Sequence, residues 1–185
     1  ECDKVCKHVH LPVQAGSNNV LNHMNRKYTK EHYLSLVEKL KAAVPDIAIT
    51  TDIIVGFPGE TEEDFLETID IVKRVEYDSA FTFLYSVREG TKAAKMENQV
   101  PDNVKHERFN RLLDVLYPIV LDKNEKCIGK VFPVLVEFAD DGKLTGRTEH
   151  FRLVHFKGSS ELVGEIVNVN ISNVKTFHTE GEMVD

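Results

Sequence analysis

The sequence predicts an α/β layer built on a parallel sheet, followed by a small all-β barrel. Ile47, Ile49, Thr50, Thr51, Ile53, Ile54 and Val55 form a nearly unbroken β-branched run, as expected of a strand covered on both faces. Segments of helical period separate that run from strands on either side, which calls for right-handed crossovers between parallel neighbours. From Lys130 onward the helical period is lost, and about five short strands fit within fewer than about sixty residues, as in a small barrel.

His8 to Val13 reads as the first strand, with Val9, Leu11 and Val13 on one face and His8 and His10 on the other. Pro12 lacks an N–H and belongs near its end. Gly16-Ser17-Asn18-Asn19 is a turn in which Ser17 caps a short helix over Val20 to Met24. Tyr33, Leu36, Val37, Leu40 and Val44 recur at helical spacing, so a helix spans about Lys30 to Val44 and stops at Pro45-Asp46. The Ile47–Phe57 strand follows. Thr61 and Asp64 then form a capping box for a helix to about Val75 that turns Phe65, Ile69 and Val72 inward. Ala80 to Tyr85 is the next strand, and Gly90 to Gln99 a loop. Pro101 suits the start of a long helix to about Lys126, which Pro118 should kink or interrupt. The barrel strands are Val131–Phe138, Lys143–Thr148, Leu153–His155, Gly164–Ile171 and Glu182–Val184, with Asp140-Asp141-Gly142 as a hairpin turn. Two domains are expected, residues 1–126 and 127–185.

A chain of 185 residues with 42% hydrophobic and 29% charged side chains has the proportions of a globular protein. No apolar run is long enough to span a bilayer and no signal peptide is evident, so no membrane partner is expected. Three cysteines make no disulfide framework and suit a reducing, cytoplasmic location. The chain begins at Glu1 rather than Met, and the reading is of an incomplete chain. The net charge of −7 argues against a generally basic nucleic-acid binder and leaves room for a local basic patch.

Cys2, Cys6, His8 and His10 hold potential metal-ligand atoms, but a zinc site needs four in a tetrahedron. Val9 stands where a Cys-x-x-x-Cys-x-x-Cys cluster motif needs its third cysteine, so no metal ligand is assigned. Gly56-Phe57-Pro58-Gly59-Glu60 lacks the Lys-Ser/Thr of a phosphate loop and the glycine spacing of a dinucleotide fingerprint. These residues alone leave a binding turn and a plain structural turn open. Lys105, Arg108 and Arg111 form a basic helix stripe, read as a surface face. Arg147, His150, Arg152, His155 and Lys157 interleave with Phe151 and Phe156, a pattern suited to phosphate contacts with base stacking.

Four motifs occur in order: His10-Leu11-Pro12-Val13-Gln14-Ala15-Gly16-Ser17, Met24-Asn25-Arg26-Lys27-Tyr28-Thr29, Thr51 through Phe65, and Phe83-Leu84-Tyr85-Ser86-Val87-Arg88-Glu89-Gly90-Thr91. Together they resemble the second half of the barrel of the radical-SAM methylthiotransferase family, a partial TIM-type fold. Leu144-Thr145-Gly146-Arg147-Thr148 and Gly181-Glu182-Met183-Val184 resemble the OB-like TRAM domain that ends those proteins. The His10–Gln14 form, the Thr51–Glu60 stretch and Leu144–Thr148 followed by Val154-His155-Phe156 look most like the branch acting on N(6)-dimethylallyladenosine in tRNA. The ribosomal-protein branch usually lacks an Asp at Asp52, and the threonylcarbamoyladenosine branch is the closer rival. Ala15 departs from the serine usual in the family, and Pro118 is unusual in the joining helix.

The resemblance implies methylthiolation of a modified adenosine at position 37 of tRNA, beside the anticodon. It implies S-adenosylmethionine as cofactor and two 4Fe-4S clusters, both bound outside this chain. No catalytic residue and no metal ligand is carried over, and this part of the enzyme is expected to be inactive alone. The cofactor-binding residues implied are Gln14, Ser17, Arg26, Asp52, Val55, Gly56, Phe57 and Gly59, with Glu60 stabilising the turn. Tyr85, Ser86 and Arg88 would face the tRNA base, while Arg147, His150 and Arg152 would hold its backbone. The sulfur donor is not identified by the sequence. An alternative expectation is that the chain acts only as a tRNA-binding module.

Overall fold

The computed structural model describes residues 5–184. They form two compact units: residues 10–45 with 49–117, and residues 5–9 and 46–48 with 118–184. A three-stranded sheet has the order β1 (His8–His10), β2 (Ala48–Val55), β3 (Ser79–Leu84), with β2 and β3 parallel from Thr50↔Ser79 to Val55↔Leu84. Thus the parallel strands expected from the β-branched run are present.

The first strand is shorter than expected, being regular only to His10. Pro12 has no N–H to give to a ladder, and Gln14 adopts a left-handed backbone at φ 65°. Side chains replace the ladder there. Thr51 Oγ1 donates to the Leu11 carbonyl at 2.9 Å and accepts from the Val13 N–H at 2.9 Å, while the Tyr33 hydroxyl donates to Leu11 O at 2.8 Å. The fully buried Tyr77 in turn donates to the Tyr33 hydroxyl at 3.0 Å.

Helices α1 (Asn18–His23), α2 (Lys30–Ala43) and α3 (Glu62–Val75) start where their caps predict. Ser17 and Thr29 accept from Asn19 N–H and His32 N–H. In α3 the Thr61–Asp64 box is complete in both directions, and Glu62, Glu63 and Asp64 complement the positive end of the helix. Phe65, Ile71 and Val72 of α3 are fully buried, each contributing about 1.5–3 kcal/mol of transfer free energy. The last helix, α4 (Asp102–Glu125), runs through Pro118 instead of breaking there. Leu112, Leu116 and Val120 are buried on both sides of the proline at helical spacing, which offsets the lost hydrogen bond.

The second unit contains a closed barrel of order β4-β5-β6-β8-β7: β4 Val131–Asp140, β5 Lys143–Thr148, β6 Leu153–Lys157, β7 Ile166–Val174 and β8 Thr179–Met183. Asp141 and Gly142 both have positive φ, 43° and 74°, as a primed hairpin turn requires. Val134, Val136, Leu144, Val154, Phe156, Val169 and Ile171 alternate inward to fill the core, joined by Cys127. Closure removes the free edges that an open sheet of this size would expose. Gly146 sits opposite Val136 where a Cβ would run into the Leu135 carbonyl oxygen. Gly146→Ala should therefore lower stability by about 1–3 kcal/mol, measurable as a lower urea midpoint.

Candidate functional site

The C-terminal end of β2 divides its side chains cleanly. Thr51, Ile53 and Val55 are buried on one face, while Asp52 and Ile54 stand on the other and are partly open. Ile54 lies opposite Phe83 of β3 and Asp52 opposite Phe81, so the open face carries aromatic rings beside a carboxylate. This face and the loops beyond the strand ends enclose a cleft of about 370 Å³. Gln14, Asp52, Phe57, Tyr85, Ser86 and Arg88 all line it, together with Ile54, Phe83, Leu84, Thr91 and Ala93.

Gln14 is held in its left-handed conformation by β2: its N–H donates to Asp52 O at 2.9 Å and its carbonyl accepts from Ile54 N–H at 2.8 Å. A non-glycine residue in this region costs on the order of 1 kcal/mol or more, which the surrounding hydrogen bonds offset. His10 Nε2 stands 3.4 Å from Asp52 Oδ1, its Nδ1 3.0 Å from Thr50 Oγ1, and its ring meets Phe81 edge-on. Asp52 is thus oriented from behind by an imidazole. Phe57 and Tyr85 meet edge to face at 5.2 Å, and the Tyr85 hydroxyl is buried without a hydrogen-bond partner.

The turn after β2 is anchored by Glu60. Its Oε1 accepts from Gly56 N–H at 3.1 Å and from Arg108 Nη1 at 3.0 Å, and Arg108 Nη1 also donates to the Glu60 carbonyl at 3.0 Å. Burial pushes the Glu60 carboxyl up to about 7, against the opposing pull of the Gly56 N–H and Arg108. The basic stripe of α4 is accordingly not a solvated face: Lys105 and Arg108 are buried, and only Arg111 is substantially exposed, where it pairs with Glu62 at 2.7 Å. Charge pattern alone misread Arg108 because its carboxylate partners, Glu60 and Glu62, lie more than forty residues away, whereas Lys105 pairs locally with Asp102 and is buried by its packing against Gly56.

Five of the residues expected at the cofactor are not among those lining the cleft. Ser17 is buried, caps α1 and donates to Asp64 Oδ1. Val55 packs on the buried face of β2. Gly56 faces the Lys105 side chain, which a Cβ would strike. Gly59 donates its N–H to Asn98 O at 2.7 Å, and Arg26 is exposed beyond α1. Ile54, Phe83, Leu84, Thr91 and Ala93 are the cleft residues not among the expected site residues. Strand alternation counted from Asp52 would have placed Ile54 there.

Among the expected RNA contacts, Arg147 lies on the outer face of β5, donates to Glu137 Oε2 at 3.1 Å and stacks over Phe151 at 4.3 Å. Arg152 Nε donates to Asn124 Oδ1 at 3.3 Å. His150 is buried, with Nε2 3.4 Å from Asp46 Oδ2, so it supports its loop instead of presenting a surface to a backbone phosphate.

The α/β segment and the barrel each match a family model. Residues 2–72 match the radical SAM superfamily and residues 125–184 the TRAM domain. The chain carries a radical SAM segment and a TRAM domain. A tRNA-2-methylthio-N(6)-dimethylallyladenosine synthase of Alkaliphilus oremlandii is 58% identical over the whole chain, and one of Clostridium perfringens is 55% identical. The chain spans 40% and 42% of their lengths. Escherichia coli coproporphyrinogen III oxidase, described as a radical SAM enzyme, superposes with a TM-score of 0.54 at 14% identity. That likeness covers 90% of this chain and 41% of the oxidase, and it concerns the fold alone.

The cleft of the α/β unit has a donor set that fits S-adenosylmethionine. Asp52 can accept from ribose hydroxyls or an amine, Arg88 can donate to a carboxylate, and Phe57, Phe83 and Tyr85 offer apolar faces to adenine. The unpartnered Tyr85 hydroxyl adds a polar group with no partner within the chain. An iron–sulfur cluster is not suited in the same way: among the described residues no three His, Cys, Asp or Glu side chains converge, Cys6 is exposed and Cys127 belongs to the barrel core. Cys2 lies outside the described residues.

The Glu60 shift has a consequence for stability. Because its folded value lies above the ordinary carboxylate value, its contribution is fully present below about pH 4.5 and is lost as pH rises through about 7. Glu60→Gln should therefore flatten the pH dependence of the urea midpoint between pH 5 and 8, the wild type losing stability with rising pH relative to the variant.

Proposed function

We propose that this chain is the substrate-facing part of an enzyme that methylthiolates N(6)-dimethylallyladenosine at position 37 of tRNA, using S-adenosylmethionine and two 4Fe-4S clusters held outside it. The reading is carried by the pairing, on one chain, of an adenosyl-sized cleft at parallel strand ends with a TRAM barrel. It is supported by relatives of 58% and 55% identity that bear that synthase's name. When bound, S-adenosylmethionine supplies the hydrogen-abstracting group that opens the substrate carbon to sulfur insertion.

The chain's own residues do positional work. Gln14 and Asp52 orient the adenosyl moiety, Asp52 being steadied by His10. Arg88 forms a charged clamp at the mouth, beside Ser86 and Tyr85, where the base would enter. The edge-to-face Phe57–Tyr85 pair closes the apolar side of the cleft against water. Arg147 and Arg152 of the TRAM barrel hold the tRNA backbone. No described helix is long and apolar enough to cross a membrane. A cytoplasmic location follows from the proposed tRNA substrate and is part of the same proposal.

Expression of the full-length gene in a host lacking tRNA methylthiolation should restore 2-methylthio-N(6)-dimethylallyladenosine in nucleoside mass spectrometry. Appearance of the methylthiolated threonylcarbamoyl nucleoside instead would reassign the branch. In the intact enzyme, Asp52→Asn should raise the KM for S-adenosylmethionine about tenfold, the loss of one charge-assisted hydrogen bond, with little change in tRNA affinity. Arg147→Ala should do the reverse, weakening tRNA binding while cleavage of S-adenosylmethionine uncoupled from tRNA persists.

A further inference from the structure

The outer face of the TRAM barrel carries an arrangement that the fold does not need. On β5 and β6 the alternate residues Leu144, Gly146, Val154 and Phe156 are buried, which turns Lys143, Thr145 and Arg147, and Lys157, His155 and Leu153, outward. In the antiparallel register Lys143 stands directly opposite Lys157. Like charges facing each other across a strand pair destabilise a sheet. Both lysines are exposed, and among the described residues neither makes an ion pair. Arg147, one row along, is by contrast paired with Glu137. The two lysines border a groove of about 670 Å³ whose other wall is β8, where Glu180 and Glu182 stand two residues apart, with Asp141 at the hairpin end. This volume falls within the roughly 300–1,000 Å³ of small-ligand sites.

We propose that this groove binds one single-stranded ribonucleotide of the RNA substrate, its phosphate on Lys143 and Lys157 and its base edge on the carboxylates of β8. The assignment rests on the reading of this chain as part of a tRNA-modifying enzyme. The mixed walls discriminate among anions. A free phosphate would meet carboxylates within the same groove, whereas a nucleotide offers phosphate to the lysines and N–H or hydroxyl donors to the acids.

Glu180 is kept ionised by its hydrogen bond from Asn173 Nδ2 at 2.9 Å and by His178, 3.5 Å away. Glu182 is exposed and open to a ligand. Between the walls lies His155, whose Nδ1 is 2.9 Å from Thr145 Oγ1 and whose basicity is lowered by burial and by the charge of Lys143. It is therefore a neutral flat ring at pH 7, suited to stack on a base. Guanine is the base that matches best, because its Watson–Crick edge carries two adjacent donors for one carboxylate.

The test is fluorescence anisotropy on this chain, with a labelled tRNA anticodon stem-loop as one probe. A pentanucleotide with guanine at its centre, and the same with inosine, are the others. Lys143→Gln combined with Lys157→Gln should weaken stem-loop binding about tenfold and make the salt dependence shallower by roughly one unit of slope. The thermal midpoint of that variant should stay level or rise, since a repulsive pair is relieved. Lys143→Arg with Lys157→Arg should retain wild-type binding. The wild type should prefer guanine over inosine, and Glu182→Gln should lose that preference. Salt-dependent binding by wild type that is unchanged in the glutamine double variant would overturn the groove while leaving the RNA reading intact. Absence of stem-loop binding by the wild type would overturn both.

Discussion

Four hydrogen bonds converge on the carboxylate of Asp64, and the geometry of the α/β segment follows from them. Thr61 contributes its N–H and its hydroxyl, Ser17 its hydroxyl and Asn19 its side-chain amide. Burial works against the charge, but these donors outweigh it and hold the group below the usual carboxylate range. One side chain thereby ties the cap of α1 to the cap of α3, Asp64 lying forty-seven residues beyond Ser17 in the chain. Gly16 N–H donates to Thr68 Oγ1 at 2.9 Å, and a side chain at Gly16 would strike the α3 backbone. With those two helix ends fixed, the turns that flank the cleft have little freedom left.

The same economy appears on the other side of the cleft. Glu60 and Arg108 form a buried pair whose hydrogen bonds go largely to the turn itself, through Gly56 N–H and the Glu60 carbonyl. A buried pair of this kind adds little net stability, since desolvation takes back most of the attraction. Its effect is to specify the shape of one turn and hence the position of Phe57. Asp64 and Glu60 illustrate two outcomes of burying a carboxylate: with four donors it stays readily ionised, while with fewer donors and deeper burial it is raised to about 7.

The TRAM barrel is organised differently. Its main core cluster is apolar, with Val134, Val136, Leu144, Val154 and Val169 almost completely buried, while the outer rows of its strands carry the charged side chains. Stability there comes from burial and closure, which leaves the outer rows of β5, β6 and β8 free to carry charges in arrangements that a sheet alone would disfavour. The facing lysines and the carboxylate wall are such an arrangement, tolerated because the core does not depend on them.

Elements with local causes were legible in the sequence. The Thr61–Asp64 box, the Ser17 and Thr29 caps, the β-branched run of β2 and the Asp141-Gly142 turn each depend on neighbours within a few residues, and all formed as read. Gln14, Asp52, Phe57, Tyr85, Ser86 and Arg88 were identified through ordered motifs, and they do share one cleft. What the sequence alone did not determine depends on partners distant in the chain. Lys105 and Arg108 read as a solvated stripe until packing set them against the turn before α3. His150 read as an RNA contact until folding buried it near Asp46, 104 residues away. Pro118 read as a kink or interruption, yet α4 runs through it with Leu112 and Leu116 buried before it and Val120 after it. Local propensity acts through hydrogen bonds that close within a turn. Burial and charge pairing act through contacts that exist only once the chain has folded, and those decided which of the predicted residues reach the cleft.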